Sequence, residues 1–176
     1  MFQDEVHFQV SATVSRKWVA KGSAPTVKSA PSKKGVRFSG FVAPKTGELW
    51  TASPEWFNFE TTIRSVRDFL AARKGGEKVC LVLDNAPWHR KAAKVVAENA
   101  GGAYSDIRSR AEFLFLPPYS PDLNPIEMVW RKTRREVTHN TYFKDSKAVE
   151  NALLPYFGRF ANPNAELSKL CTFMYS

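Results

Sequence analysis

A chain of 176 residues, 43% hydrophobic and 13% aromatic, is long enough for one domain with a substantial core and too apolar for a disordered chain. No apolar run approaches the roughly 18 residues of a membrane span, "MFQDEVHF" lacks the pattern of a secretory leader, and Cys80 and Cys171 make no disulfide framework, so a reducing, cytoplasmic setting is expected. A net charge of +9 and a pI near 9.7 point to a polyanionic partner, nucleic acid first.

In "FQDEVHFQV", Phe2, Val6, Phe8 and Val10 alternate with Gln3, Glu5, His7 and Gln9, which predicts a strand. Asp4 falls in register with the apolar set and Glu5 points the other way. A carboxylate on the core face costs several kcal/mol unless paired or metal-bound, so Asp4 needs a reason. Residues 11–35 are polar and weakly patterned, an extended basic loop. Between Glu5 and Glu48 there is no acid, while Arg16, Lys17, Lys21, Lys28, Lys33, Lys34, Arg37 and Lys45 are all basic. "VRFSGFVA" and "LWTAS" flank the turn "PKTGE" and predict a hairpin.

Phe59, Ile63, Val66 and Leu70 have helical spacing, with Asn58 as the cap and Gly75-Gly76 as the stop. "KVCLVLD" reads as a strand buried on both faces. A helix over 88–100 ends at Gly101-Gly102, "AGGAYSDIRSRAE" reads as a loop, and "EFLFL" is a further strand. The proline-rich "PPYSPDLNPIE" leads into a helix over 125–138. A helix over 145–158 and a polar tail follow. Five strands, an antiparallel hairpin early and α/β alternation later predict one mixed sheet with helices on both faces. Residues 1–145 read as the domain proper and 146–176 as its C-terminal helical extension.

Two further acids join Asp4. Asp84 closes a buried strand, where open α/β sheets place ligands, although an Asx turn or a helix cap would also explain it. Asn85 is the better cap candidate, which leaves Asp84 free. Glu127 completes a capping box with Asn124 as N-cap and Pro125 at N1, and that alone would account for it. Asp122 reads as turn chemistry. If Asp4, Asp84 and Glu127 converge near one sheet edge, they repel unless cations lie between them. Hard divalent ions, two of them roughly 4 Å apart, would neutralise the cluster and promote phosphoryl transfer. The basic blocks would then hold a phosphodiester backbone: Arg16, Lys17, Lys21, Lys33, Lys34 and Arg37 early, and Arg131, Lys132, Arg134 and Arg135 after Glu127. His7, His89 and His139 lack zinc spacing, and no Ser/His/Asp or Cys/His set suggests a covalent mechanism.

"LVLDNAPWH" followed by "FLFLPPYSPDLNPIEMVWRKTRREV", with "DEVHF" and "TGELW" ahead of them, resembles the DDE transposases of the mariner superfamily, in particular their bacterial insertion-sequence branch. The resemblance spans about residues 1–145. It implies a ribonuclease H-like fold, Mg²⁺ or Mn²⁺ as cofactor (two ions), and cut-and-paste transposition into TA dinucleotides. The implied triad is Asp4, Asp84 and Glu127, with Asn85 and His89 supporting the metal or the scissile phosphate. Transposon-end and target DNA are the implied partners. No helix-turn-helix module is legible, so a homodimer or an upstream helix-turn-helix product is the expected protein partner. The implied alternatives are a ribonuclease H-like nuclease and an inactive fragment that binds DNA or dimerises. Two departures bear on the site. The strand carrying Asp4 starts only three residues before it and should be weak there. The Asp84–Glu127 separation, 127 − 84 = 43, is longer than usual, with the excess assigned to the loop "AGGAYSDIRSRAE".

Overall fold

The computed structural model describes residues 1–29, 32–73, 75–99 and 102–172. Five strands form one mixed sheet: β1 (Phe2–Gln9), β2 (Gly35–Ala43), β3 (Glu48–Ala52), β4 (Val79–Leu83) and β5 (Ala111–Phe115). Their order is β3-β2-β1-β4-β5, with the β3–β2 and β2–β1 pairs antiparallel and the β1–β4 and β4–β5 pairs parallel. The chain therefore enters at the middle of the sheet, zigzags to one edge and crosses back to build the other. The expected hairpin is β2–β3, and Gly47 at its turn has φ 73°, a left-handed conformation that favours glycine.

Helices α1 (Phe59–Ala72), α2 (Pro87–Glu98) and α3 (Ser105–Arg110) lie on one face. α4 (Ile126–Thr133), continued by a π-helical turn (Arg134–Thr138), lies on the other with α5 (Ser146–Gly158) and α6 (Ala165–Thr172). Asn58 caps α1 reciprocally with Thr61, and Ile63, Val66, Phe69 and Leu70 pack against Phe41, Leu81, Ala92 and Ile107. Across the sheet, Val6, Phe8, Phe38 and Val42 pack against Ile126, Val129, Trp130, Leu153, Phe157 and Leu167. The even residues of β1 feed the core on the α4 side, while Gln3 and Glu5 turn polar side chains to the opposite face, as its alternation requires. Among the described residues no helix is long and apolar enough to cross a membrane.

Several expectations change. β4 is buried on one face only. Val79, Leu81 and Leu83 are buried, while Cys80 is exposed, because α4, α5 and α6 stack over β1, β2 and β3 and stop short of β4. The presumed loop at 100–112 carries α3, whose Ile107 is fully buried, and the polar tail forms α6, held by Leu167 and Cys171. Both helices are too short for periodicity to show them. Gly101, part of the expected stop of α2, lies outside the described residues. β1 also pairs from its first residues: the Met1 amino group donates to the Cys80 carbonyl, and the Val82 N–H to the Met1 carbonyl.

One close approach ties the sheet to α4. Gly40 pairs with Asp4 across β1–β2, and a Cβ on Gly40 would lie 2.5 Å from the Trp130 ring. Only glycine lets the indole lie flat enough to reach β1. Gly40→Ala should therefore destabilise the chain by about 1–3 kcal/mol through overpacking. Thermal melting checks this, and a fall of roughly 4–10 °C is expected for a chain of this size.

Candidate active site

The first acid follows from strand parity. Asp4 sits on the α4 side of β1, and Trp130 Nε1–H donates to its Oδ2 at 3.1 Å. Burial pushes the Asp4 carboxyl up to about 7, and the neighbouring Glu127 charge adds to the shift, with smaller contributions from Glu5 and Asp84.

Asp84 follows β4 at its carboxyl end. Its Oδ1 accepts the Ala86 N–H at 2.9 Å, an Asx turn, and faces His89 Nδ1 at 2.6 Å. Burial pushes this carboxyl up, but the His89 and Ala86 hydrogen bonds outweigh it, so the group lies below the ordinary carboxylate value. Asn85 is not the cap of α2. The N-cap is Ala86 with no side-chain bond, whereas Asn85 Nδ2–H donates to the Leu116 carbonyl at 2.7 Å and its Oδ1 accepts from Arg90 at 2.5 Å. Asn85 thus fastens the β4 end to the loop after β5.

Glu127 lies in the first turn of α4, and here the capping expectation fails. The helix begins at Ile126 after Pro125, with no side-chain cap. Asn124 is buried, and its Nδ2–H donates instead to the Gln3 carbonyl on β1 at 3.4 Å. The bond to β1 turns the side chain away from the helix end, so its Oδ1, the atom a capping box would use, accepts no N–H from α4. The Glu127 carboxylate has no hydrogen-bond partner among the described residues. Asp4, Asp84 and Glu127, with Asn85, Asn124 and Arg90, line one open cavity of about 370 Å³, walled on its far side by the 117–121 loop. Tyr119 projects there, fully exposed, with φ 55°.

His89 is fully buried, so it cannot reach a phosphate from solvent. Its Nε2 lies 2.9 Å from Glu5 Oε1, while Trp88 Nε1–H donates to Glu5 Oε2 at 3.0 Å. Burial lowers the imidazole pKa, but the hydrogen bonds to Asp84 and Glu5 outweigh it and push it up to about 9. The protonated ring therefore donates to both carboxylates. Glu5, Trp88, Trp130 and Arg90 were not singled out in the sequence. Glu5 alone left a signal, as the second acid of β1, facing the opposite way from Asp4.

The basic residues divide. Arg16, Lys17 and Lys21 are exposed on the long connection after β1, Lys33 and Lys34 are exposed before β2, and Arg131 and Arg135 are exposed on and after α4. Arg37 lies 4.6 Å over the Trp56 ring and donates to the Glu55 carbonyl at 3.0 Å. Arg134 is half-buried over Phe8. Lys132 departs from expectation. It is buried, and its ammonium pairs with Glu136 and, at 2.6 Å, with Glu166 of α6. An ammonium committed to two carboxylates is a structural tie rather than a phosphate contact. Asp122, 89% exposed and 3.7 Å from Arg131, stays at the rim as turn chemistry.

The donor set suits hard cations. All three cavity acids offer oxygen, Asp84 Oδ1 is occupied while its second oxygen has no hydrogen-bond partner among the described residues, and Asp4 is raised first by burial and then by the neighbouring Glu127 charge. Among the described residues no group of three acidic, imidazole or thiol ligands is already arranged to hold an ion.

The family model "DDE superfamily endonuclease" matches residues 1–150. The chain belongs to this family. A curated relative, the uncharacterized protein y4pE/y4sA of Sinorhizobium fredii (strain NBRC 101917 / NGR234), is 37% identical over 106 residues, 60% of this chain and 70% of the relative. Solved structures of Mos1 share the fold. The Mos1 transposase paired-end complex with left transposon end superposes with a TM-score of 0.67 at 19% identity, over 99% of this chain and 52% of that one. The Mos1 strand transfer complex gives 0.64 at 19% identity, again over 99% and 52%. The mariner paired end complex with Mn gives 0.66 at 18%, over 98% and 51%. The expected ribonuclease H-like fold is thus met, and the DDE chain spans about half the length of the Mos1 chains it matches.

Proton linkage makes the acid cluster measurable. With Asp4 raised from 3.8 to about 7, the folded chain holds this proton more firmly than the unfolded chain, so stability from this group falls as pH rises through that window. The His89 contribution has the opposite origin: it is complete below the ordinary imidazole value of 6.5 and is lost as pH rises toward about 9. In EDTA, Asp4→Asn should remove the decline between pH 4 and 7 while the later loss persists. Urea unfolding at a series of pH values from 4 to 9 measures both.

Proposed function

We propose that this DDE-family chain is the catalytic domain of a transposase, cleaving DNA and joining the freed 3′-end to target DNA. The observation that carries this reading is the convergence of Asp4, Asp84 and Glu127 from three separate elements onto one open cavity. Support comes from the family membership, and from the Mos1 structures of the same fold, solved as a strand transfer complex, with a transposon end and with Mn or Mg.

Asp4, Asp84 and Glu127 would hold Mg²⁺ or Mn²⁺, two ions in this reading. When bound, the ions supply Lewis-acid polarisation of the phosphodiester and a low-pKa water or 3′-hydroxyl. The residues do the rest. Ionised Asp84 offers its outward oxygen, and Asp4 gives up its proton to become a ligand, which makes loading pH-dependent. Glu127, uncommitted to its helix end, faces both aspartates across the cavity. Arg90 stands at the rim, where a phosphate oxygen would sit. Exposed Tyr119 offers a ring for base stacking, and Arg131 and Arg135 extend the positive surface along α4. Transposon ends and TA-containing target DNA are the proposed substrates. A homodimer or a helix-turn-helix product is the proposed partner, and the cytoplasm, at the nucleoid, is the proposed location. Residues 146–172 belong to the same domain in this reading, since α5 and α6 share the core of β1 and β2.

Asp84→Asn and Glu127→Gln should each reduce Mn²⁺-dependent nicking of plasmid DNA by more than about a hundredfold, beyond the range of outer-shell substitutions. Asp122→Asn should nick like the wild type. If both cavity variants still cut, the triad assignment is wrong.

DNA affinity should fall steeply with salt as counterions are released, and removing Arg131 or Arg135 should each reduce the logarithmic salt slope by about one. Lys132→Ala should instead lower the melting temperature and leave the slope unchanged. Fluorescence anisotropy over a salt series separates the two kinds of residue.

A further inference from the structure

β1 and β4 share one register pair, Phe2 with Val82. Asp4 and Asp84 both lie beyond it, where among the described residues no ladder pair joins the two strands. The main-chain pairing therefore stops two residues short of each aspartate. Side chains cross the gap instead. From β1, Glu5 Oε1 accepts from His89 Nε2 at 2.9 Å, and His89 Nδ1 donates to Asp84 Oδ1 at 2.6 Å. Glu5 is itself held at both oxygens. Trp88 Nε1–H donates to Oε2 at 3.0 Å, and Gln3 Nε2–H, which also reaches Ser39, donates to Oε1 at 3.3 Å. The Glu5 side chain is 7% exposed and the His89 side chain 0%, and neither lines the cavity of the three acids.

We propose that Glu5 and His89 are positioning residues that fix Asp84 relative to Asp4 for divalent-cation binding, an inference that rests on the metal-site reading above. The bridge begins on the residue next to Asp4 and ends on Asp84, so it spans the two aspartates directly. It also selects the ligand atom. With Oδ1 of Asp84 filled by the imidazole and the Ala86 N–H, the other oxygen is the one left for a metal. A carboxylate that orients a histidine, which in turn orients a ligand, is the outer-shell logic of metal sites with one further link. Without the charge at Glu5, the buried imidazole loses its anchor and its hold on Asp84 weakens, leaving the Ala86 N–H as the firmer bond to Oδ1.

Calorimetric titration of the full chain with MnCl₂, with circular dichroism as the check of folding, tests this. Glu5→Gln preserves shape and removes the charge. It should bind Mn²⁺ about 10–100-fold more weakly while its far-ultraviolet spectrum matches the wild type. Trp88→Phe, which takes away only the donor to Glu5 Oε2, should weaken binding in the same direction by roughly threefold or more, and it decides the matter if Glu5→Gln does not fold. Folded Glu5→Gln, or in its absence Trp88→Phe, binding within about twofold of the wild type would overturn the positioning role. Absence of Mn²⁺ binding by the wild type, or binding that survives Asp84→Asn, would instead overturn the metal-site reading itself.

Discussion

The indole of Trp130 occupies the point on which this molecule turns. Its ring lies against the bare backbone of Gly40, its N–H reaches Asp4, and its outer edge packs on Phe8 and Phe157. One side chain thereby fixes the height of α4 above the sheet, and with it the place of Glu127 one helical turn earlier. The arrangement works because β2 offers a glycine opposite the aspartate. A side chain at that position would lift the helix and part the acids.

The central strand serves two purposes at once. Its even residues build the α4 side and its odd residues the α2 side, so two adjacent acids of one strand enter different environments. Asp4 faces a cavity and other carboxylates. Glu5 faces an imidazole and an indole, and stays buried because both its oxygens are satisfied. The same covalent neighbourhood yields a titratable group near neutrality on one face and a fixed counter-charge on the other.

Much of this was legible in the sequence where the signal is local. The alternation around Asp4, the strand end at Asp84, the hairpin turn and the Asn58 cap depend on residues within a few positions of one another, and the structure has each of them. Asn58 and Asn124 make the contrast plain. Both are asparagines placed to cap a helix. Asn58 lies exposed in a turn, its side chain accepts the Thr61 N–H and it does cap, whereas Asn124 is buried beneath β1 and bonds a distant carbonyl. No local pattern carries that difference. Lys132 sat within a basic run and read as solvent-facing, because its partner Glu166 belongs to a helix with too few apolar residues to show periodicity. The Glu5–His89 contact joins residues 84 positions apart and had no sequence signature beyond two polar groups in search of partners.

The tie between Lys132 and Glu166 has a practical side. α6 covers the root of α4: Leu167 and Cys171 are fully buried, and the Cys171 thiol lies against the Pro125 carbonyl, two residues before Glu127. A fragment trimmed back to the last helix of the family match would expose that root and leave the Lys132 ammonium with half its counter-charge. A tail that looks featureless by composition thus supplies part of the packing beneath the helix that carries Glu127.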